Sequence, residues 1–254
     1  MLRSFPNIHI GLMVGIGGGV PTTRNDVRLG YVVVGDLIVQ YDLGRTVSGG
    51  KFERSCDTGN PPSDHLVTAV KSLQARQDLQ TSRVSRTLEE IMANHPSFEL
   101  NHARPAELNR LFVGDHVGDC NGESVPCASC DPSQLVQRLH RPNADCKVHH
   151  GKIASGNQVI KHRKTRDRLS YELDVICFEM VAAGLLDANL PCLVIRGISD
   201  YADSHKNDKW RGYAAATADA YSKVLLATIP AVIPKGLSFA VSMGDSQIIN
   251  MVSH

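Results

Sequence analysis

Leu12-Met-Val-Gly-Ile-Gly-Gly-Gly-Val-Pro21 decides how the rest of the chain is read. The apolar run Ile8 to Val14 leads into glycines at 15, 17, 18 and 19 and closes on Val20-Pro21. Apolar residues without helical spacing predict a buried strand, and the glycines behind them predict a loop of bare backbone. Such a loop lets N–H groups approach a ligand closely, although a plain tight turn uses the same residues. Outward from it, Val32-Val33-Val34 and Leu37-Ile38-Val39 are rich in β-branched residues and predict strands flanking Gly35-Asp36. Leu66, Val67, Val70 and Leu73 then recur at i, i+1, i+4 and i+7 behind the cap candidate Ser63, which predicts an amphipathic helix from Asp64 to Asp78.

A second helix is expected from Ser85 to Asn94, ending before Pro96. From about 101 to 145 no period persists, and an irregular insertion is expected. Regular structure resumes with strand, loop and strand over Lys147 to Ile160, a basic helix near Thr165 to Leu173, and a strand at Val175-Ile-Cys-Phe178. A helix around Ala182 to Ala188, a buried strand from Pro191 to Ile198 and an alanine-rich helix from Ala214 to Leu226 follow. Alternating strands and helices define an α/β domain, expected over residues 1–228, with 229–254 as a loosely held C-terminal tail.

The 254 residues can bury one sizeable core. With 42% hydrophobic and 21% charged residues the composition is that of a globular protein, not a disordered one. The 27 basic and 26 acidic residues leave a net charge of +1, which calls for neither nucleic acid nor an anionic membrane surface. A small-molecule partner is expected, without a cofactor. No apolar run approaches the roughly 20 residues that span a bilayer. Seven cysteines, an odd number, fit a reducing, cytoplasmic location.

Several side chains are candidates for chemistry. Asp200 follows the apolar strand Leu193-Val-Ile195, so its carboxyl lies at the C-terminal edge of a sheet, either as an acid for a leaving group or as a cap or loop carboxylate. Glu179 ends another apolar strand, and the two carboxylates are candidates to face one pocket. Cys127 and Cys130 have Cys-x-x-Cys spacing, but no second pair completes a zinc site. Lys161 to Arg166 is a basic run that reads as a phosphate contact or a solvated face. His149 and His150 share a strand, so their rings should point to opposite sides, with one packed.

Together, Leu12 to Pro21, His149-His-Gly-Lys-Ile-Ala-Ser-Gly-Asn-Gln-Val-Ile160, Cys177-Phe-Glu-Met180 and Val194-Ile-Arg-Gly-Ile-Ser-Asp200 resemble the purine nucleoside/uridine phosphorylase superfamily. The resemblance covers roughly Ile8 to Leu226 and is greatest to the fungal variety often fused to ankyrin, TPR or NACHT regions. It implies a three-layer phosphorylase/hydrolase-like fold with a mixed, partly closed sheet between helices, and cleavage of the N-ribosidic bond of a purine nucleoside or nucleotide. It also implies a homo-oligomer. By position, Gly17 and Gly18 would lie beside the ribose, Val159 and Phe178 would flank the base, and the backbone of Ile160 would read its edge. Met180 would pack under the sugar, Asp200 would protonate purine N7, Ser199 would orient Asp200, and Glu179 falls in the substrate-binding motif.

Three departures shape the expected chemistry. Phosphorylases of the family hold phosphate with an Arg two residues before the first glycine and a Ser or Thr just after it; Met13 and Ile16 stand here, so water is the expected nucleophile. The family's Glu-Met-Glu becomes Glu179-Met180-Val181, which loses an acceptor for the ribose hydroxyls. The family also has a longer segment ahead of the glycines, including a Glu that activates water in the nucleosidases, so a truncated or degenerate chain is expected. Two function classes therefore remain: a purine nucleosidase, and a noncatalytic purine-binding or interaction protein.

Overall fold

The computed structural model describes residues 8–55, 61–77, 83–106, 109–113, 131–139, 146–186, 192–206, 208–229, 238–243 and 247–251. A seven-stranded sheet organises them. β1 (Ile8–Gly19) lies parallel to β7 (Cys192–Asp200), which pairs antiparallel with β2 (Val32–Gln40). β2 is parallel to β5 (Val148–Ser155), and β5 is parallel to β6 (Val175–Glu179). β6 then meets β1 antiparallel at Gly18 with Phe178 and Gly19 with Cys177, so the sheet curls back and partly closes. β3 (Gly44–Thr46) and β4 (Phe52–Arg54) form a separate hairpin.

Two glycine expectations are corrected. The cluster at 15–19 is not a loop but the last part of β1. Its bareness lets neighbours approach: a Cβ on Gly17 would lie 2.7 Å from Cys177 Sγ, and one on Gly18 would lie 2.8 Å from Asp200 Oδ1. Gly35-Asp36 likewise does not separate two strands; β2 passes through it with a register shift between Gly35 and Leu37. The segment 229–254 also differs from a simple tail, because β8 (Ser238–Met243) pairs parallel with β1, and β9 (Gln247–Met251) pairs antiparallel with β8. An open edge of β1 carries unpaired N–H and C=O groups that a further strand satisfies.

Helices cover both sheet faces. α1 (Asp64–Gln77), α2 (Arg83–Asn94) and α6 (Arg211–Leu226) enclose the larger core, with Ile153, Ile176 and Ile195 from the sheet. α4 (Arg163–Leu173) covers the other face, where Leu169 packs with Ala154, Val175 and Phe178. Adjacent residues such as Ile153 and Ala154 serve opposite cores because successive side chains of a strand alternate. The short α3 (Pro96–His102) and α5 (Ala183–Leu186) complete the helices. Within 101–145, the end of α3, a 3-10 turn at Pro132–Gln134 and a bridge between Phe112 and Leu135 are the regular features among the described residues. No helix among those residues is long and apolar enough to cross a membrane.

Candidate active site

A cavity of about 740 Å³ opens where β1, β6 and β7 end beside α6. Gly17, Gly18, Val159, Ile160, Phe178, Glu179, Met180, Ser199 and Asp200 all line it. Cys127 and Cys130 lie outside the described residues, and no cluster with metal-ligand composition occurs among those described.

The floor is made by strand ends. Gly18 and Asp200 are paired in the β1–β7 ladder, and the bare backbone of Gly18 leaves room for the Asp200 carboxyl. Asp200 is buried, and its carboxyl is tightly engaged. Oδ1 accepts from the Ala202 amide at 2.9 Å; Oδ2 accepts from Ser199 Oγ at 2.8 Å and from Lys206 Nζ at 2.6 Å. Ser199 thus touches the carboxylate directly.

One wall is the loop after β5. The Tyr41 hydroxyl donates to the Gln158 carbonyl at 2.7 Å, and the Asn157 amide donates to Asp42 Oδ2 at 2.6 Å. These bonds tie down the segment that leads to Val159 and Ile160, and Ile160 shares a buried cluster with Phe178, whose ring meets Tyr41 edge-on at 5.8 Å. Val159 and Met180 remain about half exposed at the cavity surface. An apolar slot of this kind suits a flat heterocycle.

Glu179 has a structural commitment. Its carboxylate accepts from the Val181 and Ala182 amides at about 3.0 Å and pairs with Arg196 in a buried ion pair. Arg196 extends beneath the glycines: a Cβ on Gly15 would collide with its guanidinium. Cys177 lies under Gly17, where burial pushes its thiol well above the usual range.

No family profile matches the chain. It is 40% identical over 235 residues to a nucleotide-binding leucine-rich repeat-like protein of Hyaloscypha variabilis, across 90% of this chain and 22% of that protein. It is 25% identical over 212 residues to the ATP nucleosidase Cap17 of Escherichia coli, across 82% of this chain and 34% of that protein. The chain thus spans about a fifth to a third of the length of these relatives. Its fold matches 5′-methylthioadenosine/S-adenosylhomocysteine nucleosidase of Helicobacter pylori with a TM-score of 0.53 and 17% identity, over 89% of this chain and 71% of that one. The fold is the one that nucleosidases of the purine nucleoside/uridine phosphorylase superfamily share.

Two of the departures from the superfamily pattern acquire a structural form. Met13 is buried in the core and Ile16 lines the cavity, so neither offers a hydrogen bond to an anion. Arg196 does reach the cavity, but its charge is balanced by Glu179. Val181 is 55% exposed at the cavity surface, where its side chain accepts no hydrogen bond.

Two residues escaped the sequence reading. Arg196 was visible as a charge inside an apolar strand, and a buried charge must find a partner. Lys206 follows Asp200 by six residues in an irregular segment, where no spacing rule signals the contact.

Proposed function

We propose that this chain hydrolyses the N-ribosidic bond of a purine nucleoside or nucleotide, with Asp200 as general acid. The observation that carries the reading is the convergence of Asp200, Ser199 and the Gly17-Gly18 backbone in one cavity with the Val159/Phe178 slot. As the bond breaks, positive charge builds on the ribose and negative charge on the departing base. A proton delivered to purine N7 stabilises that state more than the bound substrate. Gly17 and Gly18 lie beside the sugar, Met180 packs below it, and the Ile160 backbone reads the edge of the base.

Water is the nucleophile in this scheme, since Met13 and Ile16 leave phosphate without charge-assisted bonds. The sequence similarity to the Escherichia coli ATP nucleosidase supports a nucleosidase acting on an adenine compound. The oligomeric state we propose is a homo-oligomer, and the location cytoplasmic.

Adenine release from adenosine, methylthioadenosine, AMP and ATP, with and without phosphate, tests the reading. Release without phosphate is expected, falling about 10²- to 10⁴-fold in Asp200→Asn. A phosphate requirement would replace water with phosphorolysis. A second reading, a purine-binding protein without turnover, is favoured by Val181 alone; it predicts adenine binding by calorimetry and no release from any of the four compounds.

A further inference from the structure

We infer that Lys206 is the positioning residue for Asp200 and supplies the proton that Asp200 delivers; this rests on the function proposed above. Lys206 Nζ lies 2.6 Å from Asp200 Oδ2, and both side chains line the cavity. The Lys206 side chain is 21% exposed and that of Asp200 is 4% exposed, so the pair straddles the boundary between cavity and interior.

The chain is built to make this contact. After β7 it turns sharply at Ala202, which sits at φ +51, a left-handed conformation that costs an alanine energy and persists only where its surroundings hold it. Gly18 leaves room for that turn, since a Cβ there would lie 2.9 Å from Ala202 Cβ. Asp203 then fastens the returning segment. It accepts from the His205 amide at 3.0 Å, its carbonyl accepts from the Lys206 amide at 3.3 Å, and its carboxylate faces buried Arg166 at 3.7 Å. The Lys206 backbone is therefore fixed before its side chain reaches Asp200.

In this arrangement both Asp200 oxygens receive hydrogen bonds from Ala202, Ser199 and Lys206, which is the bonding pattern of a carboxylate. An acceptor-only group has no proton to give, whereas the ammonium beside it has one. As the N9–C1′ electron pair moves into the purine, the proton on Lys206 passes to the carboxylate and on to N7. Lys206 is left as a neutral amine. Water adds to C1′, and the proton it releases restores the ammonium. The net change is hydrolysis, with no redox step.

Kinetics and binding of Lys206→Met and Lys206→Arg test this. Adenosine needs its leaving group protonated; 4-nitrophenyl riboside, which departs as a stable phenolate, does not. Lys206→Met should lower kcat on adenosine about 10- to 100-fold with little change in KM, the size of effect expected for a lost charge-assisted hydrogen bond. The loss on nitrophenyl riboside should be about tenfold smaller than on adenosine, and Lys206→Arg should recover part of the adenosine loss. Equal losses on both substrates, or none on adenosine, would overturn the inference.

A second arm does not need turnover. Wild-type protein should prefer adenine to 7-deazaadenine, which lacks N7, and Lys206→Met should erase that preference; a preference kept intact overturns the inference. Wild-type protein that binds adenine but cleaves neither riboside ends the proposed function, and the binding arm then decides the role of Lys206.

Discussion

Position 181 is one of the places where the cavity departs from the superfamily pattern. Val181 stands next to Met180 on the cavity surface, and its neighbours are held firmly: Glu179 accepts from the Val181 amide, and Ser155 Oγ accepts from the Ala183 amide at 2.8 Å. Val181→Glu should therefore place a carboxylate at the sugar without moving the backbone. Hydrogen bonds to a charged group contribute about 1.5 to 3 kcal/mol, so KM for a riboside should fall roughly 10- to 100-fold, as measured by steady-state adenine release. An unchanged KM would mean that this position does not reach the ribose. The residue scale was partly legible in the sequence. Ser199-Asp200 could be placed at a strand end from the apolar run before it, and Phe178 from the run before that. The engagement of Glu179 by Arg196 and of Asp200 by Lys206 could not, because both depend on how separate segments fold back together.

At the scale of elements, β7 is the spine: every residue from Cys192 to Asp200 is buried, and α6 lies across it. The closest approach is at Gly197, where a Cβ would collide with the Ala214 carbonyl. Because the obstacle is helix backbone, the helix itself must shift. Gly197→Ala should destabilise the fold by about 3 kcal/mol, at the upper end of the usual cost of overpacking, read as a lower midpoint in urea unfolding. Gly184→Ala is the control: among the described residues nothing beyond its chain neighbours and its own helix backbone lies within 4 Å of its Cβ, and alanine in a helix is favoured over glycine by about 0.5 to 1 kcal/mol. A Gly197→Ala midpoint equal to wild type would mean that α6 can move away freely. The same packing explains what periodicity could and could not reveal. α1, α2 and α6 each repeat apolar residues at helical spacing, and that spacing is local. The extension of β1 through Gly19 is not local. Glycine weakens a strand by itself, and here it is required by Cys177, Arg196, Asp200 and Ala202 approaching from other elements.

At the scale of the whole molecule, acid stability depends on the pair of histidines in β5. His149 is pushed down from 6.5 to about 4 by burial, with a smaller contribution from nearby Lys147, and burial lowers His150 in the same direction. Among the described residues His149 Nε2 has no hydrogen-bond partner, and the ring lies 5.7 Å from Tyr31, so the native state accepts the neutral imidazole and resists the charged one. The unfolded chain takes up a proton near 6.5, while the native chain does not until about pH 4. Native stability should accordingly be complete above neutrality, decline as pH falls from about 6.5 toward 4, and lose nothing further from this group below that. The difference between the two values corresponds to about 3 kcal/mol at most. Asp203 and Asp219 act oppositely: burial raises both, so their protonation favours the native state as pH falls. Comparison of His149→Phe with wild type isolates the histidine from them. Urea midpoints at pH 7.5 and pH 5 should differ less in the variant; an equal difference in both proteins would place the acid sensitivity elsewhere in the fold.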